Sequence, residues 1–589
     1  METTPEPSEA HGYGTPLALS ALIFGIYLVI STCSSMWDRD EARFARATAE
    51  MVSSSPSNYL YATFNGKLRP DKPILIYWLM SVPVRMFSGD WAYRLCAVAG
   101  TALACFFTYL IGRWLFTHRA GLWGMMLLAT TPLVAATGAV ATSDAVLLAF
   151  ITGSFAVFAH GLKFRFGIVH LITLSLLFAG GMLDKGPVAL IPIVPFILTR
   201  VFLRKEKPGA LAGSLLLCIP VLVACGLFAA WFIPANNATH GELYEQSFKH
   251  HVLERSLKPL EGHGGYSLFY LAMYPLVILA AFFPWTLYLP GAFVQLSRND
   301  SGGRRGKVFL LAWMLSFLVI MIAISTKLPH YILPIWPALA LAVGAFLDAA
   351  GREEPRSYGG FWTFLGGLLF MLVLVVFAGA MGYGPEYAAQ LAAEKPLHEE
   401  IYWNSFAGDS RTIRMLLAAP VLIVSLTLIF RHQVASFASN ARILLVGCLL
   451  FLVGAGLFLA PEFETIKISK RLAQLINERS DENAPVTVCG YDEASLIYYL
   501  GKRQVLNIIP ENTSAKAASG KPYPEIRAEA VVDWANTRGK KAVLAIPRAA
   551  YEQIKADKTL PDLYHMGDIT GFNYSKGHWV EIMVFRRDE

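Results

Sequence analysis

The strongest constraint on this chain is a series of apolar stretches, each long enough to cross a bilayer. A transmembrane helix needs roughly 20 mostly apolar residues, because the hydrocarbon core is about 30 Å thick. Hydrophobic residues make up 55% of the 589 positions and charged residues only 16%. This composition predicts a polytopic α-helical membrane protein with about 13 transmembrane helices. The predicted spans are 17–35, 92–112, 121–139, 143–160, 167–183, 187–203, 211–233, 266–289, 308–325, 332–349, 361–382, 413–430 and 441–460.

The basic residues between these spans fall on one side of the predicted membrane. Six loops carry them, from Arg113 after the second span to Arg442 before the last. Loops rich in Lys and Arg stay in the cytoplasm, so this side is predicted to be cytoplasmic. The flanks of the first span disagree, because acidic residues precede it and Arg39 and Arg43 follow it. We follow the six consistent loops, which predict a cytoplasmic N-terminus, a retained first helix and an outer C-terminus.

The composition becomes that of a soluble protein at about residue 462. We therefore predict a membrane domain over 1–461 and a small outer α/β domain over 462–589. Its strand-like runs are 486–488, 505–509, 542–546 and 579–585, with helical patterns between them. The cysteines lie mainly in or beside apolar stretches, which indicates neither a disulfide framework nor a paired-cysteine metal site.

The first outer loop, predicted over 36–90, concentrates charges at the membrane surface. It begins with Asp38-Arg39-Asp40-Glu41-Ala42-Arg43 and later contains Lys72-Pro73. Sugar transfer from a lipid phosphate needs a carboxylate to accept a proton and cations to hold the departing phosphate. This loop contains both kinds of group. Composition alone favours the alternative of a solvated amphipathic face with ordinary ion pairs.

Three motifs resemble a known family. They are the Asp-Glu-x-Arg-aromatic sequence that begins at Asp40, the stretch that runs from Gly66 to Lys72-Pro73, and the sequence Lys327-Leu328-Pro329-His330-Tyr331. Together they resemble the aminoarabinose lipid A transferases and the related protein O-mannosyltransferases, which have the GT-C fold. Phe44 stands where aminoarabinose transferases commonly have tyrosine, so a hydroxyl contact is absent at that position.

The resemblance implies a set of site residues. Asp40 matches the family's catalytic aspartate, and Asp144 matches a second acidic position. Glu41, beside Asp40, and Asp144 are expected to be catalytic as well. Residues on the donor-phosphate side are expected to be Arg43, Lys72 and Lys185. The residues expected in the substrate cavity are Lys327, His330, Tyr331 and His251; a snorkelling role is the alternative for Lys327.

The function implied by the resemblance is transfer of a sugar from an undecaprenyl phosphate donor. The acceptor is expected to be lipid A or another envelope lipid or glycan on the periplasmic face of a bacterial inner membrane. A protein O-glycosyltransferase of the same fold is an alternative. The protein is expected to act as a monomer, with no required cofactor and no nucleic-acid partner.

A second predicted outer loop, 234–265, contains clustered histidines. His250, His251 and Glu254 could supply zinc ligands, but adjacent histidines on a helix do not easily point at one centre. A divalent metal in the outer cavity is possible but is not predicted, and interfacial hydrogen bonding is the preferred explanation for these histidines.

Many membrane spans combined with polar residues are also typical of two other classes of protein. A transporter or lipid flippase predicts internal repeats and charges near the bilayer midplane, whereas these charges gather on one face and no repeat is visible. An envelope assembly protein with an idle site is the third class. Turnover of lipid-phosphate sugars would distinguish an enzyme from such an assembly protein.

Overall fold

The computed structural model describes most of the chain. The described residues are 12–54, 59–204, 215–247, 267–297, 304–351, 376, 379, 382–393, 399–431, 437–508, 523–537, 541–558, 560 and 562–587. Helices dominate up to residue 464, and a mixed sheet follows. The helices of the first part are α1 (Gly14–Thr32), α2 (Asp40–Ser53), α3 (Leu75–Met86), α4 (Asp90–Leu115), α5 (His118–Ala129), α6 (Pro132–Gly138), α7 (Asp144–Lys163), α8 (Ile168–Lys185), α9 (Ile193–Phe202), α10 (Cys218–Ala238), α11 (Leu268–Ala281), α12 (Leu289–Ser297), α13 (Arg304–Ala323), α14 (Trp336–Ala350), α15 (Glu399–Arg431), α16 (Phe437–Gly454) and α17 (Ala460–Glu464).

The described helices include eight that are long and apolar enough to cross a membrane, or ten if each of two bent pairs is one span. The predicted count of about 13 is therefore not confirmed. The predicted span 121–139 is the pair α5 and α6, bent by 65° where Pro132 cannot donate a helical hydrogen bond. The predicted span 187–203 contains α9, which has ten residues. Most of the predicted span 361–382 lies outside the described residues.

The membrane core is built around α4, which packs on α1, α5 and α7. Glycine allows the closest approach between α4 and α5. A Cβ atom added at Gly112 would lie 2.4 Å from the Cα atom of Gly121, so any larger residue would separate the helices. Farther across the bundle, the rings of Phe155 and Trp313 stack with their centroids 3.5 Å apart. Such close packing holds the helix ends, and the loops on them, in fixed positions.

Two short helices lie at one end of this bundle. They are α2 and α3, and both lie within the first outer loop predicted over 36–90. Between them run the short strands β1 (Thr63–Phe64) and β2 (Lys67–Leu68), which pair as a hairpin. Glu50 near the end of α2 fixes the hairpin by accepting hydrogen bonds from Thr63 Oγ1 and the backbone N–H of Asn65, each at 2.7 Å.

The C-terminal part is a five-stranded mixed sheet with helices. Its strands are β3 (Val486–Val488), β4 (Val505–Asn507), β5 (Val543–Pro547), β6 (Tyr564–Asn573) and β7 (His578–Arg586), and its helices are α18 (Ser469–Arg479), α19 (Ala494–Tyr499), α20 (Tyr523–Thr537) and α21 (Arg548–Asp557). The strand order is β4-β3-β5-β7-β6, with β3 parallel to both β4 and β5 and the remaining pairs antiparallel. This confirms a small sheet domain at the C-terminus.

The sheet domain rests on the first outer loop. The side-chain amide of Asn65, in the β1–β2 turn, donates to the carbonyl oxygen of Val505 at 2.7 Å. Helix α19 packs against α2. The loop is therefore enclosed between the helix bundle and the sheet domain.

Candidate active site

Asp40 is the first residue of α2, where the unpaired backbone amides of a helix start favour a negative charge. One turn later on the same helix, Arg43 places its Nη1 atom 3.6 Å from Asp40 Oδ1. The side chains of Asp40 and Arg43 are 68% and 42% exposed. Both groups are thus accessible to a substrate, which the roles expected of them require.

Glu41 points the other way and is buried. Its carboxylate pairs with Arg94, with Arg94 Nε 2.6 Å from Oε1 and Arg94 Nη2 2.9 Å from Oε2. It also accepts backbone hydrogen bonds from Trp37 (2.8 Å) and Ala141 (2.7 Å). A carboxylate engaged in this way cannot reach a substrate. The expectation of a catalytic role for Glu41 is corrected to one of holding the start of α2 against α4.

A second group of charged residues lies in the segment before α3. Arg69 pairs with Asp71 at 3.0 Å and donates to the hydroxyl of Tyr77 at 3.0 Å. Its guanidinium lies over the ring of Phe44, 5.2 Å from the centroid. Burial alone would lower the pKa of Arg69, but the nearby Tyr77 and Asp71 outweigh it and raise that pKa. The next residue after Asp71 is Lys72, so this pairing fixes the backbone that carries Lys72.

A cavity of about 340 Å³ opens between this segment and the ends of several spans. Its polar wall contains Lys72, Asp144, Lys185 and His330, and the remainder is largely apolar. The apolar wall includes Val188, Ile191, Phe228, Phe232, Ile320, Met321 and Ile324. A cavity lined by cations and by apolar side chains fits a molecule that combines a phosphate with a hydrocarbon chain.

The ion pair between Asp144 and Lys185 forms part of the polar wall, with Asp144 Oδ1 accepting from Lys185 Nζ. Asp144 begins α7 and Lys185 ends α8, so two helix ends meet here. The Lys185 ammonium also faces the ring of Tyr331, 5.8 Å from its centroid. The predicted cation and the second acidic position are therefore direct partners.

The loop residues and the cavity residues converge on His330. This side chain interacts electrostatically with Asp144, Lys185, Lys72 and Asp40. Residues separated by almost 300 positions in the sequence thus surround one space, with Asp40 near the cavity rather than on its wall.

The remaining tentative cavity residues differ in outcome. Lys327 is buried and its Nζ donates to the carbonyl oxygen of Ile324 at 2.6 Å, while the neighbouring Thr326 lines the cavity. Lys327 is therefore not among the residues that line this cavity. His251 lies outside the described residues. Within the described ranges, no group of three His, Cys, Asp or Glu side chains could hold a metal ion.

Sequence reasoning missed Arg94 and Asp71. Arg94 is fully buried inside the predicted span 92–112. A charged residue within a span requires a partner, and this signal could have linked Arg94 to an acid of the neighbouring loop. Asp71 lines the cavity beside Lys72, but nothing in the sequence distinguishes it from other loop acids.

The chain is similar to one known protein family and to several known transferases. Residues 71–224 match the family described as dolichyl-phosphate-mannose-protein mannosyltransferase. The undecaprenyl phosphate-alpha-4-amino-4-deoxy-L-arabinose arabinosyl transferase 1 of Pseudomonas fluorescens is 26% identical over 61% of this chain and 65% of its own length. The corresponding transferase of Yersinia enterocolitica is 25% identical over 63% of this chain and 68% of its own length. The matched region thus spans about two thirds of these relatives.

Solved structures extend the likeness to nearly the whole chain. The crystal structure of ArnT from Cupriavidus metallidurans bound to undecaprenyl phosphate aligns with a TM-score of 0.72 at 18% identity, covering 97% of this chain and 98% of that one. Its apo state aligns with a TM-score of 0.68. The resemblance predicted from the loop motifs is confirmed, and this chain has the GT-C fold found in ArnT.

Proposed function

We propose that this protein is a membrane glycosyltransferase that moves a sugar from a polyprenyl phosphate, such as undecaprenyl phosphate, to an acceptor hydroxyl. The observation that carries this proposal is the site's composition. An exposed carboxylate, Asp40, stands near a cavity whose polar wall contains Lys72 and Lys185 and whose other walls are apolar. The names of the relatives, which are transferases for an undecaprenyl phosphate-linked sugar, support it.

The reaction is a single displacement at the anomeric carbon. Asp40 accepts the proton of the acceptor hydroxyl while its oxygen forms the new bond to that carbon. The bond from the anomeric carbon to the phosphate oxygen breaks, and its electron pair leaves with the lipid phosphate. One displacement inverts the anomeric configuration.

Three cations stabilise the departing phosphate. Lys72 and Lys185 act from the cavity wall and Arg43 from the start of α2. Lys185 can remain paired with Asp144 while it binds phosphate, because an ammonium has three N–H donors. This chemistry requires no nucleotide and no metal from the protein.

The site lies on the periplasmic face of a bacterial inner membrane in our proposal. The basic loops then face the cytoplasm with the N-terminus, and the sheet domain is periplasmic. The acceptor is lipid A or another envelope lipid or glycan, and the protein acts as a monomer. The match of residues 71–224 to a protein mannosyltransferase family favours a protein hydroxyl as the second candidate acceptor.

Transfer in proteoliposomes tests the proposal. Purified protein is given labelled undecaprenyl phosphate sugars and acceptor lipids, and transferred label is counted. Asp40→Asn should lower turnover by about 100-fold or more, the typical contribution of a general base. Lys72→Ala should also lower it strongly, whereas Lys67→Ala removes an exposed lysine from the same loop and should not.

The outcomes have distinct meanings. Full turnover by Asp40→Asn would show that Asp40 is not the base. Equal loss in the Lys67→Ala and Lys72→Ala proteins would show a general charge effect rather than phosphate binding at the cavity. Transfer from no lipid-phosphate sugar, by a folded wild-type protein, would overturn the proposed function.

A further inference from the structure

The segment of residues 33–39, which joins α1 to α2, sets the position of Asp40. Four hydrogen bonds, besides those donated by Lys467, connect this segment to residues beyond position 463. The backbone N–H of Ser35 donates to Glu464 Oε1 (2.9 Å), and that of Met36 donates to the hydroxyl of Tyr499 (2.7 Å). The other two bonds join the Ser495 backbone N–H to Asp38 Oδ1 and Arg39 Nη2 to the Ser575 carbonyl oxygen, each at 3.0 Å.

The helix bundle holds the same segment from its other side. Nη1 of the buried Arg94 donates to the carbonyl oxygen of Ser34 at 2.6 Å, and its Nη2 donates to that of Ser35 at 2.9 Å. Lys467 also donates to the Ser35 carbonyl oxygen at 3.0 Å and lies 3.7 Å from the centroid of the Trp37 ring. The 33–39 segment is therefore fixed between α4 and the C-terminal part of the chain.

Tyr499 links the two sides directly. Its hydroxyl accepts from the backbone N–H of Met36 and donates to Asp90 Oδ2 at 2.5 Å. Asp90 is the first residue of α4. The sheet domain thus ties the 33–39 segment to α4, the helix whose Arg94 also binds this segment.

Asp38, two residues before Asp40, accepts the bond from the Ser495 backbone through its side chain. Its side chain is partly buried, and burial raises its pKa. The bond from the Ser495 backbone requires an acceptor oxygen on this side chain and does not require a charge. Asparagine supplies the same acceptor, so the contact can be tested separately from the charge.

We infer that the sheet domain is part of the catalytic apparatus, in which Asp38 and Tyr499 act as positioning residues for Asp40. This inference rests on the proposed role of Asp40 as the base. A general base must stay within hydrogen-bond reach of the hydroxyl it deprotonates, and displacement by about 1 Å can cost about 100-fold in rate. The contacts made by the sheet domain restrain the backbone two to four residues before that base.

Steady-state kinetics in proteoliposomes provide the first test. Asp38→Ala and Tyr499→Phe should each lower kcat about tenfold while the KM for the lipid-phosphate donor stays within about twofold, because geometry changes and the cavity does not. Asp481→Ala and Tyr564→Phe are matched controls on exposed faces of the same domain and should retain the wild-type kcat. An unchanged kcat in both test variants would overturn the inference, as would a change in KM alone.

The conservative variant separates positioning from charge. Asp38→Asn should recover most of the kcat lost in Asp38→Ala, because its side-chain oxygen can still accept from the Ser495 backbone. Equal loss in the asparagine and alanine variants would assign Asp38 an electrostatic role and contradict positioning through this hydrogen bond.

Amide hydrogen exchange tests the restraint without turnover, and so distinguishes failure of this inference from failure of the proposed function. In the full-length protein in lipid nanodiscs, residues 36–43 should exchange at least about tenfold faster in Asp38→Ala than in Asp481→Ala. The same exchange in both variants would overturn the inference even if transfer is observed. Faster exchange would support the restraint even if Asp40→Asn proved fully active.

Discussion

The buried pair of Glu41 and Arg94 anchors the start of α2, and its removal should be strongly destabilising. Arg94 is 0% exposed and Glu41 is 3% exposed. Replacing Arg94 with methionine preserves much of the volume but leaves the Glu41 carboxylate buried without its cation. Breaking a buried ion pair in this way costs about 3–5 kcal/mol. The backbone carbonyls of Ser31, Ser34 and Ser35 lose their guanidinium donor as well.

A double-mutant cycle separates the pair from these backbone bonds. Glu41→Gln removes the charge and keeps an acceptor oxygen for only one of the Trp37 and Ala141 amides, because these amides bind different carboxylate oxygens. Arg94 keeps its three backbone carbonyl acceptors in this variant. In the double variant the unpaired charge is absent and the lost carbonyl bonds remain, at about 1 kcal/mol or more each. We therefore expect a coupling energy of about 2–3 kcal/mol between the two positions.

Reversible unfolding in mixed micelles with increasing denaturing detergent measures these free energies. Arg113→Met is a control on α4, because Arg113 is only partly buried and pairs with no carboxylate among the described salt bridges. A loss below about 1 kcal/mol in Arg94→Met would refute the reasoning, because surface charges typically contribute that little. A coupling energy within about 0.5 kcal/mol of zero would show that the two side chains act independently.

Two further predictions concern other carboxylates. Asp184 is buried, and its oxygens have no hydrogen-bond partner in the described part of the chain, so Asp184→Asn should keep or raise the thermal midpoint of unfolding. Asp144→Asn should lower that midpoint, because it breaks the ion pair with Lys185. Burial raises the pKa of Asp38, so its contribution to stability is present below about pH 4 and is lost as pH rises through the raised value. The Asp38→Asn variant has no ionisable group at this position. Its free energy of unfolding should therefore fall less than that of the wild type as the pH rises through this range.

Local pattern predicted the membrane class and most of the sheet. Four of the five strands of the sheet domain coincide with predicted runs, because their alternating or continuous apolar residues mark them as buried. Strand β6 was not predicted, since Gly567, Asp568 and Gly571 interrupt any apolar alternation. Pairing within the sheet stabilises this strand instead, because β6 is paired with β7 over nearly its full length.

The number of spans could not be counted from hydropathy alone. A window of apolar residues measures composition, whereas a bend depends on backbone geometry at a few positions. The predicted span 266–289 shows this: its helix α11 and the following helical residues are bent by 102° at a break that contains Pro284. Length and apolarity are the same for a straight span and a bent one.

The site was predicted mainly by charge placement and resemblance, and tertiary structure decided what each residue does. Asp40 and Glu41 are adjacent in sequence and chemically alike, but consecutive residues on a helix point in different directions. Glu41 therefore meets Arg94 of α4 while Asp40 remains exposed. No local pattern contains that distinction, because the partner lies more than 50 positions away.

A paired count of products tests the central claim most directly. Proteoliposomes containing the wild-type protein, a doubly labelled undecaprenyl phosphate sugar and an acceptor lipid are sampled over time. Transferred sugar and released undecaprenyl phosphate are quantified in the same sample. Glycosyl transfer predicts equal amounts of the two products, both lowered about 100-fold or more by Asp40→Asn. Movement of intact donor between leaflets, with neither product formed, would contradict the account and identify a lipid transporter instead.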